Sequence, residues 1–243
     1  VRACRVTERS CFDNALSTLK TLREKVDVAG FQEAELVDVI PRLRNSLPDL
    51  DSAYRACVWN YDLNKTISSI VMWNSAILGP AIWSSTFDLD AGRPMGMVVT
   101  KSPSGKRYVL IVAHFPWFTS ESELVRLERT IATHMPPRKV VGSEVVPIVM
   151  ADTNDATTLI HSSRPLRLGN TSVHQGLDRK TIRRKLKTCC WHEEGHQYKH
   201  MTDTGDYILA TNVERQYIPK AFAQHRDDAF ASDHLPVIAR LAP

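Results

Sequence analysis

Five apolar runs in this sequence each abut a carboxylate, an amide or an imidazole, and that pattern limits the fold more than any other feature. Val26–Phe31 runs into Gln32-Glu33, Arg107–Ala113 into His114, and Val145–Ala151 into Asp152. Tyr207–Ala210 follows Asp206, and Leu235–Leu241 follows Asp233-His234. Each run has the length and β-branched content of a buried strand. Strands of one sheet share an edge, so polar residues at their ends can converge in one cleft. Ala56–Trp59, Ser69–Trp73 and Met95–Thr100 add further extended segments.

Two helices are expected beside these strands. Asp13–Glu24 places Ala15, Leu16, Leu19 and Leu22 on one face behind an Asp13 cap. Ser120-Glu-Ser-Glu123 is a capping box that opens a helix to about Met135, with Leu124, Leu127 and Ile131 on one stripe. The segment Asp155–Lys187 reads as irregular. Many short strands with few helices predict an α+β fold in which two sheets pack with helices outside.

At 243 residues the chain suffices for one sizeable core, and a single domain spanning 1–243 is expected. A composition of 43% hydrophobic and 24% charged residues excludes a disordered tail, a collagen repeat and a coiled coil. No apolar run approaches the roughly 20 residues that cross a bilayer. The first residue is Val rather than Met, which leads us to expect further sequence upstream. The five cysteines (Cys4, Cys11, Cys57, Cys189 and Cys190) are odd in number and match no zinc spacing. Free thiols in a reducing, intracellular compartment, nuclear or cytoplasmic, are expected; a Cys4–Cys11 bridge in a secreted protein is the alternative. Zinc at His192, His196 and His200 would need a helix there, and Gly195 argues against one.

The order of the polar strand ends then carries a resemblance. Phe31-Gln32-Glu33, Ala113-His114-Phe115, Ala151-Asp152-Thr153-Asn154, Asp206-Tyr207-Ile208-Leu209 and Ser232-Asp233-His234-Leu235-Pro236-Val237 follow one another as the motifs of the endonuclease/exonuclease/phosphatase superfamily do. That superfamily includes deoxyribonuclease I, exonuclease III-type AP endonucleases, tyrosyl-DNA phosphodiesterase, inositol polyphosphate 5-phosphatases and neutral sphingomyelinases. The sequence resembles it from Val26 to Leu241. The resemblance implies a four-layer α/β/β/α sandwich of two mixed or antiparallel sheets flanked by helices. It also implies hydrolysis of a phosphodiester by an activated water, with Mg²⁺, or Mn²⁺ in its place, bound by hard oxygen ligands.

The same resemblance distributes the roles. Glu33 is the first metal ligand, with Asp233 and Asp152 as further ligands. Asp152 polarises or deprotonates the attacking water, and Asn154 orients phosphate or water. His234 donates to a non-bridging phosphate oxygen, Asp206 fixes its tautomer, and His114 stands near the leaving-group oxygen. Two positions depart from the pattern. No Asn stands among residues 1–5 to match the one that ends the superfamily's first strand, and Ala151 stands where Gly is usual.

Substrate assignment rests on charge and aromatics. The net charge is +4, and 179–187 holds six basic residues in nine with no acid. Arg179, Lys180, Arg183 and Arg184 could contact a phosphate backbone, which would make binding salt-dependent. Trp117 could stack on a base or sugar. These features favour nucleic acid as the partner; with the resemblance, DNA is expected ahead of RNA. Phosphatase or phosphodiesterase action on a small or lipid phosphoester is one alternative. A nucleic-acid-binding module without catalysis is another.

Overall fold

The computed structural model describes residues 26–34, 54–62, 65–89, 94–115, 120–142, 144–154, 165–174, 205–217 and 237–242, with only the backbone described at 33–34, 54–62, 65–68, 88, 94 and 238. The described residues form an α+β sandwich.

Five strands make the larger sheet. They are β4 (Ala81–Asp88), β5 (Pro94–Lys101), β6 (Arg107–His114), β7 (Val145–Asp152) and β10 (Asp206–Ala210), in the order β10-β7-β6-β5-β4. Their pairings are antiparallel except for β6 with β7, which is parallel. Parallel neighbours need a crossover between them. The chain supplies it with α2 (Glu121–His134) and α3 (Arg138–Val141). The expected capping box opens α2: the Glu123 N–H donates to Ser120 Oγ at 3.4 Å, and the Ser120 N–H donates to Glu123 Oε2 at 3.1 Å.

The smaller sheet holds β1 (Val28–Ala34), β2 (Tyr54–Asp62) and β3 (Lys65–Asn74) in the antiparallel order β1-β3-β2. A single helical turn, α1 (Ser75–Leu78), follows β3. Its far side is fixed by the Trp73 indole N–H, which donates to the Gly79 carbonyl at 3.0 Å.

Side-chain alternation along the strands builds two cores. Odd-numbered residues of β6 and β7, such as Ile111, Ala113 and Val149, pack outward beneath Leu124, Leu127 and Ile131 of α2. Even-numbered ones, such as Leu110, Val112, Ile148 and Met150, face the smaller sheet and meet Val71 and Trp73 of β3. At β10 the same alternation sends Tyr207 and Leu209 outward and Ile208 and Ala210 inward.

Three sequence expectations change. The irregular segment 155–187 carries a small hairpin, β8 (Leu166–Leu168) and β9 (Thr171–Val173), turning at Gly169 with φ 62°. Its Leu166, Leu168 and Val173 are buried in the outer core, so packing orders part of a segment that looked like loop. Strands β4 and β11 (Val213–Tyr217) were not expected; β11 pairs with β12 (Ile238–Leu241). The expected Tyr207–Ala210 strand begins one residue earlier, at Asp206 itself. The helix expected over 13–24 lies outside the described residues.

Candidate active site

Three of the expected site residues share one row of the larger sheet. His114 is the cross-strand partner of Asp152 in the parallel β6–β7 pair, and Asp206 is the partner of Asp152 in the antiparallel β7–β10 pair. All three continue the even-numbered, inward-facing series of their strands. The parallel pairing is what puts the C-terminal ends of β6 and β7 side by side. The antiparallel pairing brings in the N-terminal end of β10. Three strand ends about 4.8 Å apart therefore present one imidazole and two carboxylates toward the smaller sheet.

His114 and Asp152 are both buried, at 8% exposure each. The His114 Nε2 lies 3.5 Å from Asp152 Oδ2, within ion-pair reach and longer than a good hydrogen bond. A carboxylate and an imidazole in this relation can exchange a proton through a bound water or share a polar ligand between them.

The turn after Asp152 is tied down by its own side chains. Asp152 Oδ1 accepts the Asn154 N–H at 2.9 Å, the local bond by which Asp commonly starts a turn. Asn154 takes φ 49°, a left-handed conformation that Asn tolerates better than most residues. Its Nδ2 donates to the Phe115 carbonyl. A carbonyl only accepts, so this bond fixes which end of the amide is nitrogen and leaves Oδ1 directed elsewhere. Phe115 in turn donates its N–H to the Asp152 carbonyl at 2.8 Å. The ends of β6 and β7 are thus cross-tied beyond the last ladder pair.

The smaller sheet approaches this edge through β1. Gln32 Nε2 donates to the Met150 carbonyl at 2.8 Å, a link between the sheets that falls two residues before Asp152. Gly30 makes the approach feasible, because a Cβ there would lie 2.7 Å from Met150 Cβ. Between Phe31 and Ala34 the β1–β3 register slips by one, so Gln32-Glu33 stand opposite Ser69 alone. Such bulges are frequent beside active sites. The backbone of Glu33 therefore sits one residue beyond a fixed bridge to β7.

Trp117, Arg179, Lys180, Arg183, Arg184, Asp233 and His234 lie outside the described residues, as does the side chain of Glu33. Among the described residues, no group of three or more His, Cys, Asp or Glu could hold a metal ion. No described helix is long and apolar enough to cross a membrane. Sequence reasoning did not single out Gly30, and it read Thr153 only as a position of the Ala151–Asn154 motif, without a role. The Thr153 N–H and hydroxyl both donate to the Gly205 carbonyl, at 2.6 and 2.7 Å. A glycine two residues before a Gln-Glu pair was the readable signal for Gly30; the motif marked the position of Thr153, but nothing local marked its bond to Gly205.

No protein-family model matches the chain, and no curated protein does. Solved structures do match in fold. An endonuclease/exonuclease/phosphatase family protein from Bacteroides thetaiotaomicron superposes with a TM-score of 0.61 at 14% identity, covering 95% of this chain and 86% of its own. TDP2 of D. rerio, solved with a single strand DNA product, gives a TM-score of 0.60 at 16% identity over 93% and 90% of the two chains. A mannosyl-6-phosphatase from Bacteroides thetaiotaomicron VPI-5482 gives 0.59 at 13% identity over 96% and 92%. The chain has the fold of the endonuclease/exonuclease/phosphatase proteins.

Proposed function

We propose that this protein is a phosphoester hydrolase of the endonuclease/exonuclease/phosphatase family and that its substrate is nucleic acid, DNA ahead of RNA. The observation that carries the reading is the row His114–Asp152–Asp206, cross-tied at its edge by Asn154 and facing the inter-sheet side of a sandwich with that fold. A buried carboxylate beside an imidazole suits general acid–base work on a water.

The proposed cofactor is Mg²⁺, with Mn²⁺ able to replace it, held by Glu33, Asp152 and Asp233. Three carboxylates form a hard-oxygen donor set that fits such an ion, and the Gln32–Met150 bridge keeps the backbone of Glu33 beside the Asp152 strand. When bound, the ion supplies positive charge to the phosphate oxygens. The chain does the rest. Asp152 draws the proton from the attacking water, and Asn154 orients the phosphate or that water. His114 serves the leaving-group oxygen. His234 donates to a non-bridging oxygen, with Asp206 fixing its tautomer. Trp117 and Arg179, Lys180, Arg183 and Arg184 are assigned to strand binding, and free cysteines fit an intracellular setting.

A second reading, hydrolysis of a small phosphomonoester, is favoured by the likeness to the mannosyl-6-phosphatase. One panel separates the two. Plasmid, abasic duplex, 5′-tyrosyl oligonucleotide, RNA, inositol phosphates and a hexose 6-phosphate are each incubated with Mg²⁺ and with EDTA. Cleavage of a nucleic acid that EDTA stops and Asp152→Asn lowers at least about a thousandfold supports the first reading. Release of phosphate from the small esters alone supports the second. Binding to DNA with no cleavage of anything, unchanged in Asp152→Asn, would leave only a binding module.

A further inference from the structure

The Gly205 carbonyl receives two donors from one residue. One is the backbone N–H of Thr153 and the other its hydroxyl. Thr153 is wholly buried, at 0% exposure. The backbone bond extends the β7–β10 ladder by one step past the Asp152–Asp206 pair, as an antiparallel sheet would in any case. The hydroxyl bond is additional, and its location gives it meaning. Thr153 directly follows Asp152, and Gly205 directly precedes Asp206.

We infer that Thr153 is a positioning residue of the hydrolytic site: by gripping the Gly205 carbonyl twice it holds the first residue of β10 in the row with Asp152 and His114. This rests on the hydrolase reading above. Strand β10 is five residues long, and the carboxylate that matters sits on its first residue. First residues of strands are where pairing frays, and a fifth of a short strand's ladder lies at stake here. Glycine at 205 offers no side chain for packing to seize, so its backbone is what can be held, and Thr153 holds the carbonyl. A branched side chain is stiff at χ1, so the Thr153 hydroxyl is held in place rather than searching for its acceptor. A catalytic constellation tolerates only about 0.5 Å of play, and a misplacement of about 1 Å can cost up to about a hundredfold in rate. Thr153 itself touches no reacting group; it acts through Asp206.

The test compares Thr153→Val, which keeps the shape and drops the hydroxyl, with Thr153→Ser, which keeps the hydroxyl. Both are made in the full chain and assayed on whichever panel substrate the wild type cleaves fastest. The expected result is a kcat roughly ten- to a hundredfold lower in Thr153→Val, an unchanged KM, a melting point within a few degrees of wild type, and recovery of most of kcat in Thr153→Ser. Wild-type kcat in Thr153→Val, or a Thr153→Ser variant as slow as it, overturns the inference. A crystal structure of Thr153→Val gives an arm that needs no activity: displacement of the Asp206 carboxylate relative to Asp152 supports the inference, and an unmoved carboxylate refutes it. If the wild type cleaves nothing in the panel, the hydrolase reading falls and the structural arm alone decides for Thr153. Should Thr153→Val not fold, Thr153→Ala removes the hydroxyl without bulk and carries the same comparison.

Discussion

Substituting Gly30 by Ala tests how tightly the two sheets are pressed together beside the candidate site. The new Cβ would stand 2.7 Å from Met150 Cβ, 3.1 Å from its Sδ and 3.4 Å from its Cε. Carbon atoms pack best at about 3.5–4.0 Å, so the first contact overlaps by about 1 Å. The thioether end of Met150 can swing aside. Its Cβ cannot, because it is fixed to the β7 backbone. The strands must therefore part by about 1 Å. The Gln32–Met150 bond, 2.8 Å in the native chain, then opens beyond hydrogen-bonding range. Overpacking of this kind costs about 1–3 kcal/mol, and the lost hydrogen bond adds about 1 kcal/mol. For a chain of this size the sum lowers the melting point by about 5–15 °C. Thermal unfolding followed by circular dichroism measures it, and on the proposed reading Gly30→Ala also needs more Mg²⁺ for half-maximal activity. The double variant Gly30→Ala/Met150→Ala should remain destabilised, since Met150→Ala keeps the offending Cβ. Two results would refute the reasoning: a Gly30→Ala variant that melts within a degree or two of wild type, or full rescue by Met150→Ala.

Two further outcomes are expected. Asn154→Gly should be more stable than Asn154→Ala by about 1 kcal/mol in urea unfolding, because only the alanine is strained at φ 49°, while both lose the tie to Phe115. Replacing Arg179, Lys180, Arg183 and Arg184 together by Ala should flatten the plot of log affinity for duplex DNA against log salt by roughly 3–4 units of slope, which filter binding at several salt concentrations measures; an unchanged slope removes this segment from the interface.

Much of the framework could be read in advance because it is encoded by burial. Strands β6 and β7 are near-continuous apolar runs, and their ends at His114 and Asp152 are where polarity resumes. The Ser120 box and the α2 stripe were equally legible, since capping and helical periodicity are local. Strand β4 escaped because its half-buried face carries Trp83, Ser85 and Phe87 and its exposed face carries Ser84 and Thr86, so the serine between the two aromatics leaves little apolar contrast. The β8–β9 hairpin did carry a signal, Gly169-Asn170 between Leu168 and Thr171, but three-residue strands give too short a pattern to outweigh their polar surroundings. In the site, residue types at strand ends pointed to His114, Asp152 and Asp206, and the register joins them. What sequence could not supply was the contact between sheets. That Gly30 yields space and Gln32 reaches the Met150 carbonyl depends on how two separate sheets dock.

That inter-sheet bridge joins residues 118 positions apart. Closing so long a loop is entropically slow relative to pairing strands near in sequence. The row on the larger sheet can form while β1 is still undocked, yet on the proposed reading it lacks Glu33 until docking is complete. On that reading, refolding should show strand content returning before activity does, and a nascent chain would stay inactive until this long-range contact closes.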